Sequence, residues 1–180
     1  LIAIRRARTA DAAGIGAVHV ASWRSAYAGV LPDVFLAQMS ATREARHYDR
    51  VIRIGVGVHV AAVSGPEAAE APTIVGFTTA CRTGREGALA EGMVQTLYVL
   101  DDFRDRGIGR RLLRASAQYL AGLGCRSAFA WVLRDNNASY FYQRLGGKRI
   151  AEGATYVGGQ KIPQTAYGWD PIALLLDVDA

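Results

Sequence analysis

Apolar positions along the chain change their period several times, and each change marks an element. Ile2 to Arg8 alternates weakly and predicts a first strand. Ile15, Val18, His19, Ser22, Trp23 and Ala26 then recur at helical spacing, so residues 10–27 are expected to form an amphipathic helix. Thr9 is its expected N-cap, with Asp11 in the first turn. Gly29 and Pro32 break that pattern. A short helical piece follows around 33–39, then a longer one over 42–54 with Ser40 as its cap. Val56, Val58 and Val60 alternate with small or polar residues and predict a strand. A turn over 64–72 pairs it with a second strand, Thr73 to Arg82. After a Gly-containing loop at 83–90 comes a third, central strand, Met93 to Val99.

The second half of the chain repeats the alternation of types. A charged turn, Asp101 to Arg106, precedes a stripe of Ile108, Leu112, Leu113, Ala115, Tyr119, Leu120 and Leu123, which is helical. Gly122 or Gly124 ends that helix. Ser127 to Leu133 is an apolar run and reads as a buried strand. Asn136 caps a helix reaching Leu145, closed by Gly146 and Gly147, and two strands follow at about 148–157 and 161–169. Strand 93–99, helix 107–122 and strand 127–133 make a βαβ-like unit. The chain is therefore expected to be an α/β layered domain with a mixed sheet.

Composition narrows the class. The chain has 180 residues, of which 51% are hydrophobic and 21% charged, enough apolar material for one domain over 1–180. Disordered, collagen-like, coiled-coil and disulfide-scaffold classes are excluded. No apolar run approaches the roughly 18 residues of a membrane span, and Leu1 to Arg8 lacks the apolar block of a signal peptide. Cys81 and Cys125 have no ligand spacing, so no metal is expected, and they read as small hydrophobes of a reducing cytoplasm. Net charge is +5, and the basic residues are 19 Arg against two Lys, Lys148 and Lys161. Guanidinium groups suit phosphate recognition. A nucleic-acid reading rests on that charge alone, because aromatic–basic alternation is lacking.

One segment tells more than composition does. Leu97-Tyr98-Val99 runs into Arg104-Asp105-Arg106-Gly107-Ile108-Gly109-Arg110-Arg111, a strand leading through a basic, Gly-containing turn into a helix. The first turn of a helix has outward-pointing N–H groups and a partial positive charge, and glycine lets an anion approach them. The segment predicts a phosphate seat. The chain has no GxxxxGK[ST] string, and a GxGxxG fingerprint fails because Leu112 stands where its third glycine belongs.

The segment instead matches the Arg/Gln-x-x-Gly-x-Gly turn of acetyl-CoA-dependent N-acetyltransferases. After the next strand, Asn136-Asn137-Ala138-Ser139-Tyr140-Phe141-Tyr142-Gln143-Arg144-Leu145-Gly146-Gly147 resembles an Asn-x-Ala-x-x-Phe-Tyr-x-x-Leu-Gly-Gly signature. The chain thus resembles the GCN5-related N-acetyltransferase (GNAT) superfamily. Trp23 to Pro32 and the closing Tyr167-Gly168-Trp169 extend the likeness over most of residues 2–170. The resemblance implies a mixed, mostly antiparallel twisted sheet with helices on both faces and a splayed central strand pair. It implies acetyl-CoA as co-substrate, without a metal. Backbone groups of Leu97, Tyr98 and Val99 would pair with the pantetheine arm. Amides from Arg104 through Asp105, Arg106, Gly107, Ile108 and Gly109 to Arg110 would hold the pyrophosphate. Asn136 would bond the pantetheine, and Tyr142 would sit by the sulfur.

The implied reaction has recognisable chemical needs. A neutral amine attacks the thioester, an N–H near Val99 stabilises the carbonyl oxygen, and Tyr142 protonates the leaving thiolate. The frequent acidic strand position of the family holds Met93, so Glu91 is the nearby carboxylate candidate for the acceptor side. His19, Trp23 and Tyr27 are spaced i, i+4, i+8 and share one helix face, with Trp23 and Tyr27 as candidate walls for a cationic amine. His47 and His59 read as structural. The acceptor is expected to be a small-molecule amine or a peptide N-terminus, and relatives that pair make a homodimer an open expectation. Without the strand carboxylate, a non-catalytic acyl-CoA-binding module is the alternative.

Overall fold

The computed structural model describes residues 1–65, 71–84 and 88–177. The chain begins with strand β1 (Ile2–Arg6), then helices α1 (Ala12–Ala26), α2 (Asp33–Gln38) and α3 (Ala41–Arg53). Strands β2 (Gly57–Val63), β3 (Thr73–Arg82) and β4 (Gly92–Val99) follow, then α4 (Ile108–Gly122), β5 (Ala128–Leu133) and α5 (Ala138–Arg144). The hairpin β6 (Lys148–Val157) and β7 (Gln160–Trp169) precedes a last short helix, α6 (Ala173–Leu176). Parts of the expected turn at 64–72 and loop at 83–90 lie outside the described residues.

The seven strands form one sheet in the order β1-β2-β3-β4-β5-β7-β6. Every neighbouring pair is antiparallel except β4–β5, the ends of the βαβ unit, which is parallel. Both faces of the sheet are covered, and the two-residue period of β2 shows how. Val58, Val60 and Ala62 pack with Ile15 and Val18 of α1 and Tyr48 of α3, whereas Ala61 packs with Ile108 and Leu112 of α4 on the other face. Leu113, Ala117 and Leu120 carry the α4 stripe onto Val94, Ala128 and Ala130. Burying one such leucine contributes about 1.5–3 kcal/mol. α6 adds Leu175 to that layer, a packing the sequence reading did not foresee.

The start of α1 differs from expectation. Thr9 does not cap it. Residues 9–11 form one 3-10 turn and α1 begins at Ala12. Asp11 accepts the Arg8 N–H at 2.7 Å and a forked pair of bonds from Arg5 at 2.8 and 2.9 Å. A carboxylate held by a guanidinium is a stronger acceptor than a threonine hydroxyl, so it governs the turn. Ser40 does cap α3, accepting the Arg43 N–H at 3.2 Å.

The parallel pair β4–β5 is short. Only Gly92–Ala128 and Met93–Phe129 are in register, after which the strands part. The β3–β4 register skips Gln95, passing from Ala80–Val94 to Thr79–Thr96. An extra residue bends a strand. β5 meanwhile stays paired with β7 through Leu133. The sheet therefore opens a gap between β4 and β5 toward their C-terminal ends.

Candidate active site

The gap has two kinds of wall. The first is main chain. Beyond Met93, β4 has no strand partner among the described residues on its β5 side, so Leu97, Tyr98 and Val99 border the gap while their β3 side is paired with Thr78, Phe77 and Gly76. β4 then turns through Asp101–Phe103, a 3-10 turn within the charged turn expected at 101–106, into the start of α4. Asp105 and Gly107 both have positive φ, 58° and 73°. Gly107 is the N-cap, and open space surrounds the position a Cβ would take there. No acceptor among the described residues meets the N–H groups of Asp105, Arg106, Gly107, Ile108 or Gly109. Five consecutive donors at a helix N-terminus make an anion seat. Arg104 departs from the expected set. Its N–H donates to Asp101 O at 3.1 Å, and its guanidinium pairs with the Asp101 carboxylate at 2.8 Å. Arg106 lies over the Phe103 ring at 5.2 Å. Arg110 sits in the first turn of α4.

The second wall is aromatic. Trp23 of α1 and Tyr27, the residue just after that helix, lie with ring centroids 4.8 Å apart. Trp23 donates its indole N–H to the Tyr98 hydroxyl at 2.9 Å. Asn136 donates to the Tyr27 hydroxyl at 2.9 Å, while its Oδ1 accepts the Ala138 N–H at 2.9 Å and so orders the start of α5. Tyr142 projects from α5 against Trp169 at 5.4 Å and Tyr167 at 6.2 Å. Its hydroxyl makes no hydrogen bond among the described residues, yet it is not one of the sealed, partnerless polar atoms, which are Ser22 Oγ and His59 Nδ1. Burial, and then the neighbouring Tyr27 hydroxyl, pushes the Tyr142 phenol pKa up, so the group is a neutral proton donor at ordinary pH. Burial raises Tyr98 as well, with the Trp23 hydrogen bond working the other way.

Below Tyr27, a floor of Leu31 and Leu36 meets Leu133, Val157 and Ile162. The β6–β7 hairpin thus reaches the loop after α1 and closes the side of the gap. Asp33 stands exposed at the start of α2.

Glu91 is not part of this group. It precedes β4 at the paired end, six residues before Leu97, roughly 20 Å along an extended strand. Its carboxylate accepts the Arg126 N–H at 2.8 Å and the Arg126 guanidinium at 3.0 and 3.2 Å. Those bonds, main-chain first, hold its pKa below the usual carboxylate range. Its role is to fasten the closed end of the β4–β5 pair. Sequence reasoning missed that partner, which is 35 residues away. It also missed the Tyr98 hydroxyl, having assigned that residue only a main-chain role.

A model of the acetyltransferase (GNAT) domain family matches residues 58–146, the span from β2 through the gap to the end of α5. An uncharacterised N-acetyltransferase of Bacillus subtilis, YuaI, is 29% identical over 178 residues, covering 97% of this chain and 96% of that protein. A GCN5-related N-acetyltransferase crystal structure from Rhodopseudomonas palustris superposes with a TM-score of 0.70 at 19% identity, covering 93% of this chain and 94% of that one. The structure of YncA, a putative acetyltransferase from Salmonella typhimurium with its cofactor acetyl-CoA, gives 0.67 at 19% identity, covering 100% and 96%.

Proposed function

We propose that the chain is a member of the GCN5-related N-acetyltransferase superfamily and that it transfers an acetyl group from acetyl-CoA to a primary amine by direct attack in a ternary complex. The observation that carries the reading is what lies along the gap: five amides, a strand edge and a buried phenol that have no partner among the described residues.

The parts fit the donor's chemistry. The amides of Asp105 to Gly109 match a diphosphate, and Gly107 leaves room for it. The free edge of Leu97 to Val99 offers strand-like pairing to an arm that carries its own amides. Asn136 keeps a second Nδ2–H beyond the one given to Tyr27, free for that arm. A Val99 N–H in that edge is the donor for the developing oxyanion, a kind of contact whose loss costs about 3 kcal/mol in enzymes that use one. Tyr142 gives its proton to the leaving thiolate. Burial weakens the phenol as an acid, but the same dry gap penalises a thiolate, so the two pKa values rise together. Trp23 and Tyr27 face the acceptor, a small amine or a peptide N-terminus, because aromatic faces attract cations.

The test is a screen of amines that follows thiol release from acetyl-CoA, run on wild type and Tyr142→Phe. The variant is expected to lose about 100-fold in kcat while its acetyl-CoA affinity, by calorimetry, stays within a few-fold. Turnover equal to wild type would remove Tyr142 from the acid role. Tight acetyl-CoA binding with no thiol released by any amine would leave an acyl-CoA-binding module instead.

A further inference from the structure

The acceptor amine arrives as an ammonium ion and must lose a proton before it can attack. No carboxylate of β4 serves: Met93 holds the strand position and Arg126 holds Glu91. A different set of titratable groups lies directly behind the aromatic wall. His19 of α1 stacks on Trp23 at 5.8 Å with 5° between the planes, and meets Tyr98 edge-on at 5.4 Å. Phe77 of β3 covers another side at 6.5 Å. From α3, the Tyr48 hydroxyl is 2.7 Å from His19 Nδ1 and Glu44 Oε2 is 3.9 Å from the same atom.

Nδ1 faces the Glu44 carboxylate, which can only accept, and the Tyr48 hydroxyl, which can donate or accept; the charge of the carboxylate favours a proton on Nδ1, with Tyr48 accepting it. The lone pair is then on Nε2. Nε2 has no hydrogen-bond partner among the described residues, and the His19 side chain keeps 14% of its surface exposed. Glu44 is also the carboxylate that acts on Tyr98, which ties this cluster to the gap.

We propose that His19 Nε2 accepts the proton of the acceptor ammonium through a bridging water, with Glu44 and Tyr48 fixing its tautomer. The proposal rests on the transferase reading above. R–NH3+ gives one proton to Nε2, and the freed lone pair forms the N–C bond to the acetyl carbon. The C–S bond breaks and the thiolate takes the Tyr142 proton. The new amide nitrogen returns its surplus proton to Tyr142, and the imidazolium passes its own to solvent. The sum is one acetylated amine, one free thiol and one proton. The groups facing the ring are Glu44, His47 and Tyr48 from α3 and Tyr98 from β4. Burial lowers the His19 pKa, Glu44 raises it and His47 lowers it, with a net lowering. The ring is thus neutral and able to accept at neutral pH.

Two measurements test this. The chain has three histidines, so 15N-imidazole NMR on His-labelled protein, assigned with His19→Gln, reads the tautomer directly. A bare Nε2 is expected at pH 8, with the preference lost in Glu44→Gln. An Nε2–H in wild type would overturn the proposal. The second is the pH profile of kcat/KM with phenethylamine, spermidine and glycinamide. His19→Gln is expected to lose about 10- to 100-fold at pH 7 and to recover as pH approaches the amine's own pKa. Glu44→Gln is expected to move the acid limb downward, since Glu44 raises the imidazole. A His19→Gln loss equal at every pH would make His19 a packing residue and overturn the proposal. No thiol from wild type with any of these amines would count against the transferase reading, and the NMR result would still judge His19.

Discussion

At its N-terminal end β4 is held on both sides, by β3 and by β5; at its C-terminal end only β3 holds it. The held end is saturated. Gly92 N–H donates to Ser127 O at 3.0 Å, Glu91 N–H to Ser127 Oγ at 3.1 Å, and Thr83 N–H to Glu91 O at 3.0 Å. The Glu91–Arg126 pair adds three more bonds at the surface. Seven residues on, the same strand borders amides and a phenol that have no hydrogen-bond partner among the described residues. Asp105, Arg106 and Gly107 are exposed, so their amides are met by water and stand open to an anion without penalising the fold. The paired end carries structure, and the open end is the part proposed to meet the donor.

The sharpest way to break that comparison is to put a charge into the incomplete end. Gly107→Asp needs no room from the protein, because nothing lies within 4 Å of the added Cβ, and Asp tolerates positive φ better than most residues. The fold should survive with Tm within a few degrees of wild type. Acetyl-CoA affinity, measured by calorimetry, should fall at least 100-fold, about 2.7 kcal/mol. Gly107→Asn has nearly the same shape without the charge and should keep most of the binding. Equal affinities for the Asp and Asn variants would show that no anion sits on these amides.

What the sequence made legible follows the range of the forces involved. The turn at 104–109 was readable because its chemistry is local: a glycine with φ of 73° and the first turn of a helix lie within six residues. The strands and α4 were readable from their periods. The aromatic row on α1 was visible as i, i+4, i+8. Its meaning was not, because Tyr48 and Glu44 come from α3 and Tyr98 from β4, and pairing across elements leaves no periodic trace. The helix start at Thr9 was misread for a similar reason, since Arg5 on β1 turns Asp11 into the stronger acceptor. Glu91 looked like a site residue only while Arg126 was out of view.

Asn136 joins the two walls and sharpens the comparison from the middle. It accepts the Ala138 N–H and donates to the Tyr27 hydroxyl. Asn136→Ala should cost about 1 kcal/mol through the lost helix-start bond and raise the amine KM several-fold as Tyr27 is freed. Tyr27→Phe should reproduce the KM change with a smaller loss of Tm. A Tyr27→Phe enzyme with unaltered KM would detach Tyr27 from the acceptor side.

The smallest effect belongs to the saturated end. Glu91→Gln keeps the shape of the side chain but removes its charge from Arg126. Because the Glu91 pKa is depressed in the folded chain, its contribution is present above the unfolded carboxylate range and fades as pH falls through the folded value. The Tm difference between wild type and Glu91→Gln should therefore be small at pH 7 and vanish in acid. Acetyl-CoA affinity and kcat should be unchanged throughout, since the side chain is held roughly 20 Å from the open edge. A variant that kept its Tm and lost turnover would reverse the assignment. It would make the closed end part of the chemistry and leave Arg126 holding a catalytic carboxylate rather than a structural one.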